Sequence, residues 1–348
     1  MSAMRRNKSR APKPPRPVVY RWDLDKTYLR SDFDSLRELV RIPFEKPEDK
    51  VAVPGVAPLI RNLRKTATDR GRTVRVFFIS ASPPQISKAI KEKLTLDGIE
   101  YDGIVFKNQL HYLVRGKFRG LREQVGFKLT ELLKSHRDVP ADSEELLFGD
   151  DWESDPLIYS LYADIVAGRI QNEELGQVLR AIGVDPPLVV AAQDLCTDMQ
   201  CSDVVAKIFI NLERRTPPTN FRSFGTRLVP AFNYFQTAAC LYDSGHLTLD
   251  AVAEVATSLV TGSSYTPLRL ANSLADIVRR GHLREPSAAA VRHHLSPLGL
   301  MPQRQRPAAQ PPWWQRVLSW FTSTPEEQPV ADQAIDYQAL VTQWRVTR

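Results

Sequence analysis

The chain has 348 residues, 43% hydrophobic and 25% charged, which is ordinary for a globular protein and long enough for two domains. No apolar run approaches the roughly 18 residues of a membrane-spanning helix, and the basic N-terminus lacks the apolar core of a secretory signal. Three cysteines, Cys196, Cys201 and Cys240, are few and cannot all pair, so a reduced, cytoplasmic setting is expected. The net charge of +7 is concentrated at the start: Arg5, Arg6, Lys8, Arg10, Lys13 and Arg16 precede Val18 with no acid among them. Residues 1–17 read as a solvated, disordered, Pro-rich arm, with attraction to an anionic surface as the sharper alternative. No zinc-finger or RNP-like pattern points to specific nucleic-acid binding.

From residue 18 the chain alternates apolar strands with helical patterns. Val18–Trp22 reads as a strand ending in Asp23-Leu24-Asp25-Lys26-Thr27, and Phe33–Val40 as a short helix. A second helix begins over Pro54–Leu63. Val74–Ile79 is a strand ending in Ser80-Ala81-Ser82-Pro83, and Pro84–Leu94 is a helix with Ile86, Ile90 and Leu94 on one stripe. Phe127–Leu133 is a helix carrying Lys128. Leu146–Phe148 is a strand ending in Gly149-Asp150-Asp151, followed by Asp155, a helix over Pro156–Tyr162 and a short closing strand over Ala163–Ala167. This order implies an α/β, doubly wound parallel sheet over residues 18–171.

Beyond residue 172 the strand signal fades. Val178–Ile182, Val204–Leu212, Phe232–Leu241, Leu249–Leu259 and Leu268–Val278 all read as helices, so residues 172–300 are expected to form a mostly helical second domain. Residues 301–348 read as a linker and tail. Within the tail, Trp313, Trp314, Val317, Leu318, Trp320 and Phe321 fall on one side of a short amphipathic helix. Such a helix either docks on its own domain, the favoured reading, or lies in a lipid interface.

Three apolar runs that end in carboxylates or hydroxyls place those groups at the carboxyl edge of the sheet, where open α/β sheets bind ligands. Asp23, ending its strand, is the candidate nucleophile for a phosphomonoester, and Asp25 the general acid and base. Thr27, Ser80, Ser82 and Lys128 are candidate substrate-phosphate contacts, with Ser82 near a helix start and Lys128 opposing developing charge. Asp23, Asp25 and Asp150, with Asp151 or Asp155, offer hard oxygen ligands for Mg²⁺. Asp155 reads equally as the N-cap of the next helix. Trp152 reads as a lining of the substrate entrance, with simple packing as the alternative.

The set Asp23-x-Asp25-x-Thr27, Ser80, Lys128 and Gly149-Asp150…Asp155 resembles the haloacid dehalogenase superfamily of phosphotransferases. Ile79-Ser80-Ala81-Ser82-Pro83, Phe118-Arg119-Gly120 before Phe127-Lys128-Leu129, and Phe148–Tyr159 make it more similar to the catalytic domain of the actin-patch type of Mg²⁺-dependent phosphatidate phosphatase, related to the lipins. It departs from that pattern at Lys26 (often Asp), Ala81 (Asn) and Asp151 (Ser). The resemblance covers roughly residues 18–170. It implies an Mg²⁺-dependent phosphomonoester hydrolase that works through an aspartyl-phosphate, with a phosphorylated substrate such as a lipid headgroup and peripheral membrane contact. The spans 27–80 and 80–128 are largely used by core elements, so a minimal cap or none is expected. The alternatives are a phosphatase of a soluble or protein-borne phosphomonoester, and an idle domain that binds a partner.

Overall fold

The computed structural model describes residues 15–29, 52–80, 86–107, 120–152, 154–302 and 334–346. Six parallel strands form one sheet: β1 (Val18–Asp23), β2 (Val74–Ser80), β3 (Gly103–Phe106), β4 (Glu144–Asp150), β5 (Val205–Asn211) and β6 (Leu228–Ala231). Their order across the sheet is β3-β2-β1-β4-β5-β6. The chain winds outward from β1 in one direction through β2 and β3, then returns to the other side of β1 with β4. The crevice between β1 and β4 is therefore the switch point of the topology, where ligands bind in open sheets of this kind.

Both faces of the sheet are covered, which is why its strands read as nearly continuous apolar runs. On one face Val18, Tyr20 and Trp22 of β1, with Leu24 just after it, pack with α1 (Val56–Asp69), α2 (Ser87–Leu96), α7 (Tyr234–Asp243), α8 (Leu249–Gly262), α9 (Pro267–Arg279) and α10 (Glu285–Leu295). Trp22, Phe148 and Phe209 stand side by side there, because strand register pairs Trp22 with Phe148 and Phe148 with Phe209. The rings of Trp22 and Phe148 stack at 3.8 Å and those of Phe148 and Phe209 at 5.3 Å. The other face is covered by α3 (Gly120–Arg137), α4 (Asp155–Val166), α5 (Asn172–Ile182), α6 (Pro186–Cys196) and α11 (Tyr337–Val346).

Two expectations are corrected. Val204–Leu212 is not a helix: residues 205–211 are β5, paired in parallel with β4. With β6 it carries the sheet past residue 172, so the second half of the chain is not helical alone. Ala163–Ala167 is not a closing strand, since α4 runs on to Val166. Every residue of α4 is buried, so its apolar stretch lacks the polar side that marks a surface helix. The expected helices near 54–63, 84–94, 127–133, 178–182, 232–241, 249–259 and 268–278 each fall on an observed helix. The N-terminal arm, the helix expected over 33–40 and the aromatic tail helix over 313–321 lie outside the described residues, as do the unassigned parts of the two spans considered for a cap.

Candidate active site

Strand alternation puts Arg21 and Asp23 on the face of β1 that α3 covers, and α3 carries Lys128 toward Asp23. The Lys128 ammonium lies 2.7 Å from Asp23 Oδ1 and 2.7 Å from Asp155 Oδ1, and all three side chains are fully buried. Asp150, at the end of β4, completes a group with Asp23 and Asp155 whose ligand oxygens lie within 4.8 Å of one another. The Thr27 hydroxyl lies between two of these acids, 3.3 Å from Asp23 Oδ2 and 3.2 Å from Asp150 Oδ2. A hydroxyl has one proton, so it donates to one carboxylate at a time. Ser80, at the end of β2, donates to Asp25 Oδ2 at 2.8 Å.

The turn after β1 is tight. Tyr28 and Leu29 both donate their backbone N–H to Leu24 O, and Lys26 sits at φ 59°, in the left-handed region. Tyr234 of α7 donates its hydroxyl to Thr27 O at 2.6 Å, so a helix from the second half of the chain braces the turn that presents Asp23, Asp25 and Thr27. Gly149 is needed by its neighbour: a Cβ there would lie 2.5 Å from Asp155 Oδ2 and 2.6 Å from Asp155 Cβ. Only glycine lets α4 bring its first carboxylate this close to the end of β4.

The two readings of Asp155 are thereby separated. It is the first residue of α4, preceded by Ser154 at the N-cap position. Its carboxylate meets Lys128 and accepts from the backbone N–H of Asp150 at 3.3 Å. Asp151 turns elsewhere. Its Oδ1 accepts from Arg214 N at 2.9 Å and its Oδ2 from Thr216 N at 3.1 Å, so it ties down the segment that follows β5. The structure thus gathers Asp23, Asp150 and Asp155, sets Asp25 beside Ser80, and leaves Asp151 outside the group. Ser82 lies outside the described residues.

Four buried carboxylates (Asp23, Asp25, Asp150, Asp155) lie at this edge of the sheet, and the buried Lys128 ammonium meets two of them, Asp23 and Asp155. Desolvated charges of one sign need compensation, and close hard oxygens of this kind suit a small divalent cation. The same field acts on Tyr159, whose hydroxyl donates to Phe148 O at 3.3 Å. Burial, and then the nearby Asp155, raise its pKa well above that of an ordinary phenol.

Trp152, read from the sequence as a lining of the substrate entrance or simple packing, is half-buried beside the group and meets two cations that the sequence reading gave no role. Trp152 donates its backbone N–H to Asp150 Oδ1 at 2.6 Å. Its ring receives the Lys26 ammonium at 3.4 Å from the centroid and the Arg214 guanidinium at 4.8 Å. Arg214 was missed because it follows a segment read as helix. Only the strand identity of β5 brings it to the carboxyl edge.

Residues 22–172 match the family described as phosphatidate phosphatase APP1, catalytic domain. The matched segment contains every residue of the site described so far except Arg21, Tyr234, Arg214 and Thr216. No curated protein matches the chain. Among the described residues no helix is long and apolar enough to cross a membrane.

Proposed function

We propose that this chain, whose residues 22–172 form a phosphatase domain of the phosphatidate phosphatase APP1 type, hydrolyses a phosphomonoester in two steps through an aspartyl-phosphate on Asp23. The observation that carries this reading is the meeting of Asp23, Asp150, Asp155 and Lys128 in the crevice between β1 and β4. Asp23 attacks phosphorus in line with the leaving oxygen, and the ester O–P bond breaks. Asp25, held by Ser80, gives its proton to that oxygen. It then takes a proton from the water that releases phosphate and restores the Asp23 carboxylate. General acid–base help of this kind is worth about 10²–10⁴-fold.

Lys128 orients Asp23 and Asp155 and opposes the charge that builds on the phosphoryl oxygens. Thr27 spaces Asp23 from Asp150. Asp23, Asp150 and Asp155 would hold Mg²⁺, which when bound neutralises phosphoryl charge and fixes the geometry of attack. Phosphatidate is the substrate suggested by the family, and a lipid headgroup implies work at a membrane surface.

The test is phosphate release from phosphatidate in mixed micelles and from a soluble aryl phosphate, with Mg²⁺ and with EDTA. Turnover that needs Mg²⁺ and disappears in Asp23→Asn supports the reading. Absence of turnover on both substrates, or full turnover in excess EDTA, refutes it. The ratio of the two rates ranks lipid against soluble substrates.

A further inference from the structure

We propose that Lys26, Trp152 and Arg214 form a second anion subsite at the mouth of this site, selecting phosphomonoesters that present a further anionic group beside the scissile phosphate. The inference rests on the phosphatase reading for what the neighbouring site does, and on its own geometry for what the subsite binds. Two cations converge on one indole ring, at 3.4 Å for Lys26 Nζ and 4.8 Å for the Arg214 guanidinium carbon. The faces of an indole attract cations, and here one ring receives two like charges next to the catalytic group. The guanidinium and the ammonium that meet this ring offer the forked and point donors that phosphate-like oxygens accept.

The backbone fixes each member independently of its side chain. Trp152 is bound through its N–H to Asp150 Oδ1, so the plate lies two residues from an acid of the catalytic group. Arg214 is bound through its N–H to Asp151 Oδ1, and the next residue, Arg215, is at φ 57°. Lys26 stands at φ 59° between Asp25 and Thr27. Left-handed conformations are costly for a non-glycine residue and persist where the surroundings impose them, often at functional sites. The one nearby acid of this segment, Glu213, turns back to accept from Asn211 at 3.0 Å. Asp151 thus has a role of its own: it positions the loop that carries Arg214, and through it the subsite.

The further anion could belong to the substrate molecule or to a neighbouring headgroup in a lipid surface, and two arms separate these sources. In the first, titration calorimetry at fixed Mg²⁺ compares propylphosphonate with 1,3-propylenebisphosphonate, neither of which can be hydrolysed. In the second, sedimentation measures binding of the full chain to phosphatidylcholine vesicles containing phosphatidate, with and without phosphatidylserine. The variants are Lys26→Asn, since asparagine tolerates a left-handed backbone, Arg214→Gln, and Trp152→Leu, which keeps both charges but removes the plate.

The wild type should prefer the doubly anionic probe by about tenfold, and each variant should bring that preference to within about twofold of none. A change in the first arm assigns the anion to the substrate molecule; a change in the second alone assigns it to the surface. The inference is overturned if neither preference moves in any variant, or if Trp152→Leu alone leaves both intact. Hydrolysis of an aryl phosphate by the wild type, measured alongside, tests the phosphatase reading separately. Its absence would leave the binding comparison standing.

Discussion

At the scale of single residues, two aspartates that adjoin in sequence have been given different work. Asp150 faces Asp23 and Asp155, while Asp151 holds the backbone N–H groups of Arg214 and Thr216. Asp155→Asn should therefore lower turnover at least about 100-fold with little loss of stability, because the charge that meets Lys128, and that would meet a bound cation, is gone. Asp151→Ala should instead lower stability by about 1–3 kcal/mol, leaving two backbone donors without their acceptor. Titrating Mg²⁺ activation in each variant checks the division: the Mg²⁺ concentration for half activation should rise sharply only for Asp155→Asn. Gly149→Ala is the companion test. Its Cβ would fall 2.5 Å from Asp155 Oδ2, so it should cost activity by displacing that carboxylate while the sheet stays folded. An alanine variant with wild-type kcat and KM would show that Asp155 does not need this close approach. Most of this site was legible in sequence, because each acid or hydroxyl ends an apolar run. The choice between Asp151 and Asp155 was not, since it depends on a segment 63 to 65 residues further on.

At the scale of elements, the readings that failed share one cause: cover on both faces, or all round, leaves little periodicity to read. Val205–Asn211 is a parallel strand covered on both faces, and α4 is a helix buried all round. A short apolar run of either kind shows no polar side, so pattern alone cannot tell strand from helix. Where one face is wet, as in α9 with Leu270, Leu274 and Ile277 buried, the helical spacing was readable. The second half of the chain is also bound to the first by specific contacts that no local pattern announces. Tyr234 of α7 reaches Thr27, and Tyr337 of α11 donates to Asp164 Oδ2 of α4 at 2.7 Å. Burial, and then the charge of Asp164, raise the Tyr337 pKa well above the ordinary range, so the hydroxyl stays protonated as a donor. Tyr234→Phe should lower kcat through a loosened catalytic turn, with Mg²⁺ activation still present. Tyr337→Phe, remote from the crevice, should cost about 0.5–1.5 kcal/mol of stability and leave kcat alone. Equal effects of the two on kcat would contradict the assignment of Tyr234 to the turn.

At the scale of the whole molecule, a buried charge network under the sheet sets the response to acid. Arg21, two residues before Asp23, places Nε 2.6 Å from Glu145 Oε2; His136 Nδ1 lies 2.8 Å from Glu145 Oε1, and the Tyr162 hydroxyl donates to Glu145 Oε2 at 2.7 Å. Burial alone would push the Glu145 carboxyl upward, but Arg21 and His136 outweigh it and hold it at about 2. Glu144 is also brought to about 2, by its bond to His246, against the opposing effect of burial, and by Arg72. A carboxyl held below its unfolded value of about 4.3 contributes stability that is present above that value and lost as pH falls toward the folded one. His282 acts in the same direction at higher pH: burial lowers it to about 4, so the unfolded chain takes up its proton first and stability drops below about 6.5. Thermal unfolding should therefore shift downward in two stages, from about pH 6.5 to 4 and again from about pH 4.3 to 2. His282→Gln should remove much of the first stage. Glu145→Gln should cost about 3–5 kcal/mol at pH 7, because it strands the Arg21 guanidinium in the interior, and should flatten the second stage. Unfolding curves at pH 7, 5, 4 and 2.5 for both variants decide the matter. A Glu145→Gln protein as stable as wild type at pH 7 would mean that Arg21 does not depend on Glu145 for its compensation.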